Sequence, residues 1–216
     1  MFAGLPIRPA YAAACTFTSA ATGTWTTAGT WTAVGAACST YPGQTFGGDT
    51  VIIANSHIVN LDVSPANSIA SLQVGQGASG RLTIGNDITD RTLTVTGNVS
   101  IFGGATLNNT GDGGNALNIG GNLTNAGVFD MNVGAADANV TFNGTANQTI
   151  SGAGGTTDFN AITINNSGAA NNNIVEVSST NFSATGAGFL TLTSGIFKVS
   201  GSFIFTDRFF PTAAYT

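Results

Sequence analysis

The sequence predicts an all-β protein, specifically a right-handed parallel β-helix: a three-sided β-solenoid with an N-terminal cap that contains a disulfide. Three observations predict this fold. Apolar and polar residues alternate within short segments, which we call bursts. The bursts recur in groups of three, and glycine and asparagine fill the segments between them. No stretch repeats an apolar residue every three to four positions for the length of a helix, so almost no helix is expected.

The composition indicates a folded, weakly charged chain. Its 216 residues suit one domain, and an apolar content of 42% is too high for a disordered protein even though only 7% of residues are charged. Five basic residues against ten acidic ones give a net charge of −5, which argues against nucleic acid or an anionic membrane surface as a partner. No apolar run approaches the roughly 18 residues that a membrane-spanning helix needs, so no membrane insertion is expected.

The repeat begins at Asp49. Within each burst the apolar residues stand at positions i and i+2, which places them on one face of a strand, while Thr, Asn and Ser take the other face. One predicted coil contains Leu82/Ile84, Leu93/Val95 and Val99/Ile101, and the fourth contains Ile162/Ile164, Val175/Val177 and Phe182. The long step from Met131 to Ile164 is interpreted as a coil with an extended loop.

Stacking explains why such a repeat folds. A single coil cannot bury its apolar side chains, but coils stacked roughly 4.8 Å apart bury them in continuous columns. Gly and Asn suit the corners, and stacked Asn side chains can hydrogen-bond from coil to coil. A β-sandwich is the competing fold, and the grouping in threes and the lack of two-residue hairpin turns argue against it.

The sequence divides into three predicted segments. Residues 1–14 end in small residues that satisfy the A-x-A rule and are interpreted as a signal-peptide remnant, with a frayed N-terminal arm as the alternative. Residues 15–48 form the cap, and residues 49–216 form the coils. The last eight residues, 209–216, show no polar terminal cap, so we expect the coils either to continue in a longer protein or to stack on another copy.

Two cysteines, Cys15 and Cys38, lie in the predicted cap. Three states are open to them: free thiols, a metal pair or a disulfide. The single histidine, His57, and the absence of a CxxC spacing argue against a metal. Export from the cell favours a disulfide, which would contribute about 3 kcal/mol on the chain-entropy model.

Two segments resemble a known group of proteins. VTFNGTANQTISGAGGTTDFNAITINNS (residues 140–167) and GFLTLTSGIFKVSGSF (residues 188–203) resemble β-strand-repeat proteins exported by environmental bacteria, and residues 23–62 resemble their N-terminal opening. The resemblance implies a parallel β-helix in a large adhesin-like surface protein, often with modules downstream. It implies no particular activity.

Few residues point to catalysis. Glycoside hydrolysis needs two carboxylates about 5–9 Å apart, and Glu176 is the sole glutamate. The tightest acidic pair, Asp87 and Asp90 beside Arg91, is interpreted as a solvated turn. We therefore expect no enzyme and no resident cofactor.

One regular spacing predicts a cation site. Four aspartates follow one another at intervals of 25 residues, and if the coil period holds they stack on one edge, where a calcium ion would relieve their repulsion: Asp62, Asp87, Asp112 and Asp137. The alternative is a set of hydrated loops, because aspartate is a common turn residue.

Aromatic and threonine residues allow two further interpretations. Trp25 and Trp31 either cover the N-terminal end of the core or form a sugar-stacking platform. The T-x-T segments 92–96 and 190–193 resemble the rows of solenoid ice-binding proteins, but Asn, Ser and Lys interrupt them. His57 is interpreted as a structural histidine, since no partner ligand accompanies it.

The function predicted from these observations is a structural or adhesive module, secreted and extracellular, on a bacterial cell surface. Its expected partners are other copies, downstream modules or surface glycans. Two alternatives stay open: a filament subunit that stacks head to tail, and a carbohydrate-binding or carbohydrate-active β-helix.

Overall fold

The computed structural model describes residues 14–111, 114–133, 136–184 and 189–200, and in it the chain winds into a parallel β-solenoid of about six turns. Each complete turn contributes one strand to each of three sheets. Helical structure in these residues is limited to a 3-10 turn, Ala28–Thr30, as the sequence predicts. None of the described helical segments has the length and apolar character required to cross a membrane.

The strands are short, mostly three to five residues, as expected for a small solenoid. In chain order they are β1 Thr16–Ser19, β2 Gly23–Thr24, β3 Trp31–Val34, β4 Thr50–Ile53, β5 Ile58–Leu61, β6 Ser71–Val74, β7 Arg81–Ile84, β8 Thr92–Val95, β9 Val99–Ile101, β10 Thr106–Asn108, β11 Asn115–Ile119, β12 Leu123–Asn125, β13 Val128–Asp130, β14 Asn132–Val133, β15 Ala136–Phe142, β16 Gln148–Ser151, β17 Thr156–Phe159, β18 Ala161–Asn165, β19 Ile174–Val177, β20 Phe182–Ala184, β21 Leu190–Ser194 and β22 Ile196–Val199.

Three sheets form the sides of the solenoid. Sheet A runs β22-β19-β16-β12-β9-β6-β4-β1-β3, sheet B runs β2-β5-β7-β10-β13-β17-β20, and sheet C runs β21-β18-β15-β11-β8. Among the described strands only the β1–β3 and β14–β15 pairs are antiparallel. From β4 to β13 and again from β15 to β22, each strand lies in a different sheet from the strand before it, and this winding excludes the β-sandwich.

The core consists of columns of inward side chains in register from coil to coil. In sheet C, Leu93, Leu117, Val140 and Ile162 are partners in successive strands, and all four are fully buried. Each such side chain contributes roughly 1.5–3 kcal/mol before conformational entropy is subtracted. Stacking of like residues thus confirms the predicted origin of the core.

The predicted grouping of the coils is wrong after Ile150. Ile162 and Ile164 lie in sheet C, and the strand that continues sheet B is β17, which the sequence analysis missed. The 33-residue step from Met131 to Ile164 therefore reflects a change of sheet. The strand was missed because Thr157 points inward where its partner Phe129 is apolar, and its buried hydroxyl accepts a hydrogen bond from Asn125 Nδ2 at 2.9 Å.

Polar side chains tie successive coils together at the corners, as predicted. Asn98 Oδ1 accepts the N–H of Asn122 at 2.8 Å, and Asn122 Oδ1 accepts the N–H of Thr149 at 2.8 Å. Gly152 shows why glycine is needed at a tight corner: its φ is +117°, and a Cβ there would lie 2.0 Å from the carbonyl oxygen of Asn125. Among the described residues, four buried side-chain polar atoms have no hydrogen-bond partner: Thr30 Oγ1, Arg91 Nε, Asp158 Oδ1 and Asn173 Oδ1.

Candidate functional surface

The N-terminal cap is closed by the predicted disulfide, which the structure confirms. Cys15 and Cys38 are bonded at an S–S distance of 2.07 Å. Strand β3 pairs antiparallel with β1 and forms the edge of sheet A. The cap thus ends sheet A at β3 with a strand that runs against the direction of the coils. The predicted signal-peptide remnant lies outside the described residues except for Ala14.

The two tryptophans lie inside this cap. Trp25 is fully buried and donates its indole N–H to the carbonyl of Pro42 at 3.0 Å, while Trp31 is 8% exposed and donates to the carbonyl of Trp25 at 2.7 Å. The two rings meet edge to face, with centroids 5.1 Å apart, and Trp31 also packs on Phe17. In this arrangement the rings pack at the N-terminal end of the core, and neither presents an open face for a sugar.

Asp62, the first of the evenly spaced aspartates, connects the cap to the corner that follows β5. Its carboxylate accepts the N–H of Thr26 at 3.0 Å and the Thr26 hydroxyl at 2.6 Å. Partial burial raises the pKa of Asp62, but these hydrogen bonds and one from the Thr24 side chain outweigh burial, so the pKa is lowered overall. Both carboxylate oxygens therefore already have protein donors.

Two of the other evenly spaced aspartates, Asp87 and Asp137, lie elsewhere in the coil. Asp87 lies in the corner after β7, where it accepts the N–H of Thr89 at 2.8 Å and pairs with the Arg91 guanidinium at 2.9 Å. Asp112 lies outside the described residues. The backbone of Asp137 belongs to β15 and pairs with Asn132. The spacing of 25 does not follow the coils, because coil length varies, and binding of calcium at any of these residues stays a prediction.

Asp90, the partner of Asp87 in the tightest acidic pair of the sequence, also has a structural contact. Its carboxylate accepts the N–H of Gly114 in the next coil at 2.9 Å. Arg91 is 7% exposed, and its N–H donates to Asn115 Oδ1 at 2.7 Å. These contacts make the Asp87–Arg91 segment a hydrogen-bonded corner.

The structure brings together an acidic pair that sequence reasoning missed. Asp130 and Asp158 are register partners in β13 and β17, on the outward face of sheet B. Asn132 lies between them, with its N–H 3.2 Å from Asp130 Oδ1 and its Nδ2 3.4 Å from Asp158 Oδ2. Asp158 Oδ1 is buried and has no hydrogen-bond partner among the described residues. The pair was missed because β17 was missed.

The most regular exposed surface is the outward side of sheet C, which we call the Thr/Asn face. No ionisable side chain is found among the outward residues of this face whose side chains the structure describes: Thr92, Thr94, Ala116, Asn118, Asn139, Thr141, Ala161, Thr163, Asn165, Thr191 and Thr193. Its central column runs Thr94, Asn118, Thr141, Thr163, Thr191 in register. Asn118 interrupts the threonines, as predicted, whereas Lys198 lies on sheet A and does not interrupt this column.

A shallow groove crosses the Thr/Asn face at its edge with the next corner. It has a volume of about 240 Å³ and is lined by Thr94, Thr96, Gly120, Asn143, Gly144 and Thr145. Gly120 is required by the backbone, since a Cβ there would lie 2.3 Å from the carbonyl oxygen of Thr96. Because glycine has no side chain, the groove stays open at Gly120 between the hydroxyl and amide groups of neighbouring coils.

The other two sheets carry charges at equivalent outward positions. On sheet A, Glu176 and Lys198 are register partners with their charged atoms 3.2 Å apart. Hydrogen bonds from Ser200 and then from Lys198 hold the pKa of Glu176 below its ordinary value. On sheet B the outward charges are Arg81, Asp130 and Asp158. The fold therefore tolerates charge on its outer faces.

No family model, curated protein or solved structure matches this chain.

Proposed function

We propose that the chain is a structural and adhesive β-solenoid module of an exported bacterial surface protein, and that it acts through the Thr/Asn face without catalysis. The single observation that carries the proposal is the neutral, regular column Thr94, Asn118, Thr141, Thr163, Thr191, which crosses five strands of sheet C in register. The resemblance to exported β-strand-repeat proteins and the Cys15–Cys38 disulfide, which suits an oxidising compartment, support it.

Neutrality of an outer face is not a requirement of folding. Outward residues of a solenoid contribute little to the core, so charge is acceptable there, as sheets A and B show. Hydroxyl and amide groups without charge bind neutral hydrated surfaces by many weak hydrogen bonds, and each contact is reinforced by its neighbours. A rod with such a face suits adhesion to neutral polysaccharide.

In the experiment, the full chain is immobilised densely on beads. The measured quantity is the fraction of beads that insoluble cellulose or chitin retains. A variant with Thr141→Lys and Thr163→Lys places two charges in the centre of the face and should reduce retention about tenfold, because each ammonium must lose water without finding a partner. The matched control carries Thr124→Lys and Thr149→Lys, two outward changes on sheet A. It should bind like the unaltered chain.

If both double variants are retained equally, the Thr/Asn face is not the adhesive surface. Thermal melting of all three proteins accompanies the assay, and midpoints that agree show that a loss of retention is not a loss of fold.

One observation favours a second candidate, a carbohydrate-active β-helix. Asp130 and Asp158 stand on neighbouring parallel strands, which lie roughly 4.8 Å apart, close to the carboxylate spacing of a retaining glycosidase. Release of soluble reducing ends from the polysaccharides in the same assay would favour this candidate over the purely adhesive one.

A further inference from the structure

A second groove lies at the corner where the chain passes from sheet A to sheet B. It spans three successive coils and has a volume of about 270 Å³. Its lining includes Ser56 and His57 from the first coil, Ser79 and Arg81 from the second, and Thr106 from the third. Arg81 and Thr106 are register partners on the outward face of sheet B. The groove is thus separate from the Thr/Asn face.

Charge distinguishes this groove from the rest of the described surface. Arg91 and Lys198 each form an ion pair, whereas Arg81 has no acidic partner within the described residues and its side chain is exposed. The same groove contains the sole histidine of the chain, and none of its lining residues is acidic. In a protein of net charge −5, the groove is therefore a locally positive region of the surface, which attracts anions.

Polar groups around Arg81 are held in place by hydrogen bonds. His57 Nδ1 lies 3.0 Å from both the hydroxyl and the carbonyl oxygen of Ser19, which fixes the ring. Ser79 Oγ accepts the N–H of Ser56 at 2.8 Å, so the Ser79 hydroxyl hydrogen stays available to a ligand. Ser56 itself has a φ of +65°, a left-handed conformation that is uncommon for a residue other than glycine.

We infer that this groove binds a carboxylate-bearing sugar, a uronic-acid residue of an acidic glycan. The Arg81 guanidinium offers two parallel N–H donors that match the geometry of a carboxylate. The hydroxyls of Ser79 and Thr106 face the same space and suit the hydroxyl groups of a sugar ring. A groove of about 270 Å³ has room for one sugar ring, so the proposed site recognises one residue of the glycan. This binding goes beyond the proposed adhesion and does not depend on it.

The imidazole of His57 provides a unique reporter, because no other histidine is present. The test follows the ring signals of His57 by NMR while the full chain is titrated with D-glucuronate, with D-glucose, or with inorganic sulfate, at low ionic strength and constant pH. Glucuronate should shift the His57 signals in a saturable way, and glucose should not. Addition of sodium chloride should weaken the effect, since salt screens an exposed ion pair.

Two variants assign the effect. Arg81→Gln should weaken glucuronate binding about tenfold or more, because a hydrogen-bonded charge is lost. Lys198→Gln removes one positive charge from sheet A and should leave binding unchanged. An equal response to glucose, an unaltered response in Arg81→Gln, or an equal loss in Lys198→Gln would overturn the proposal. A response to sulfate as strong as that to glucuronate would overturn the assignment to a carboxylate sugar.

Discussion

Removal of the Cys15–Cys38 disulfide tests how the cap is coupled to the coils. The two cysteines are separated by 23 positions, and the chain-entropy model gives about 3 kcal/mol for a loop of this length. If cap and coils unfold together, this loss lowers the midpoint of thermal unfolding by roughly 10 °C. In a solenoid each coil contacts only its neighbours, so we expect the loss to act on the cap and the first coil.

The sequence provides separate probes for the two regions. The only two tryptophans of the chain, Trp25 and Trp31, are both buried in the cap, so tryptophan fluorescence reports the cap alone. Far-UV circular dichroism reports the strands of the whole solenoid. In a Cys15→Ser, Cys38→Ser variant, the fluorescence midpoint in urea should move to lower concentration by more than the dichroism midpoint.

A common shift of both signals would refute local coupling and would mean that the chain unfolds as one unit. No shift of either signal would refute the contribution of the disulfide. Treatment of the unaltered chain with a reducing agent should reproduce the variant, and the same treatment of the variant is the control and should change nothing.

Two further predictions concern single side chains. Asp62→Asn should cost about 1 kcal/mol at pH 7, because Thr26 loses a charged acceptor. The pKa of Asp62 in the folded protein lies below the unfolded value near 3.9, so its charge stabilises the fold above pH 4. The difference in free energy of unfolding between variant and parent, measured in urea, should therefore fade as the pH drops below that value. Phe159→Ala should cost about 3–5 kcal/mol, because the ring is fully buried 4.8 Å from that of Phe129, whereas Phe102→Ala, at a ring 40% exposed, should change the urea midpoint little.

The strands of the solenoid were predictable where both inward positions are apolar. Leu93 and Val95 in β8 illustrate this case, since alternation alone identifies the buried face. Strand β17 was not predictable, because Thr157 occupies an inward position and is satisfied by Asn125, a residue 32 positions earlier. A polar residue is acceptable in the core only when its partner is present, and that partner lies in another coil.

The surface sites depend on which residues become neighbours across coils, and this depends on coil length. Leu117 and its partner Val140 are 23 positions apart, whereas Ile162 and its partner Leu190 are 28 apart. A fixed spacing of 25 therefore does not hold a residue at one position of the coil, and Asp62, Asp87 and Asp137 lie at different positions along it. The disulfide was predictable from the two cysteines and the expectation of export, since it required no knowledge of the coils.

Variation in coil length also explains how this fold can carry independent sites. The additional residues of a longer coil lie in its corners, because the strands on either side keep their register with the neighbouring coils. A corner such as Ser56–His57 or an outward position such as Thr141 can therefore change without disturbing the inward columns. The core constrains which residues point inward, and it leaves the charge of each outer face open. The neutrality of the Thr/Asn face and the isolated positive charge of the Arg81 groove are then properties that folding does not require, which is why function is sought in them.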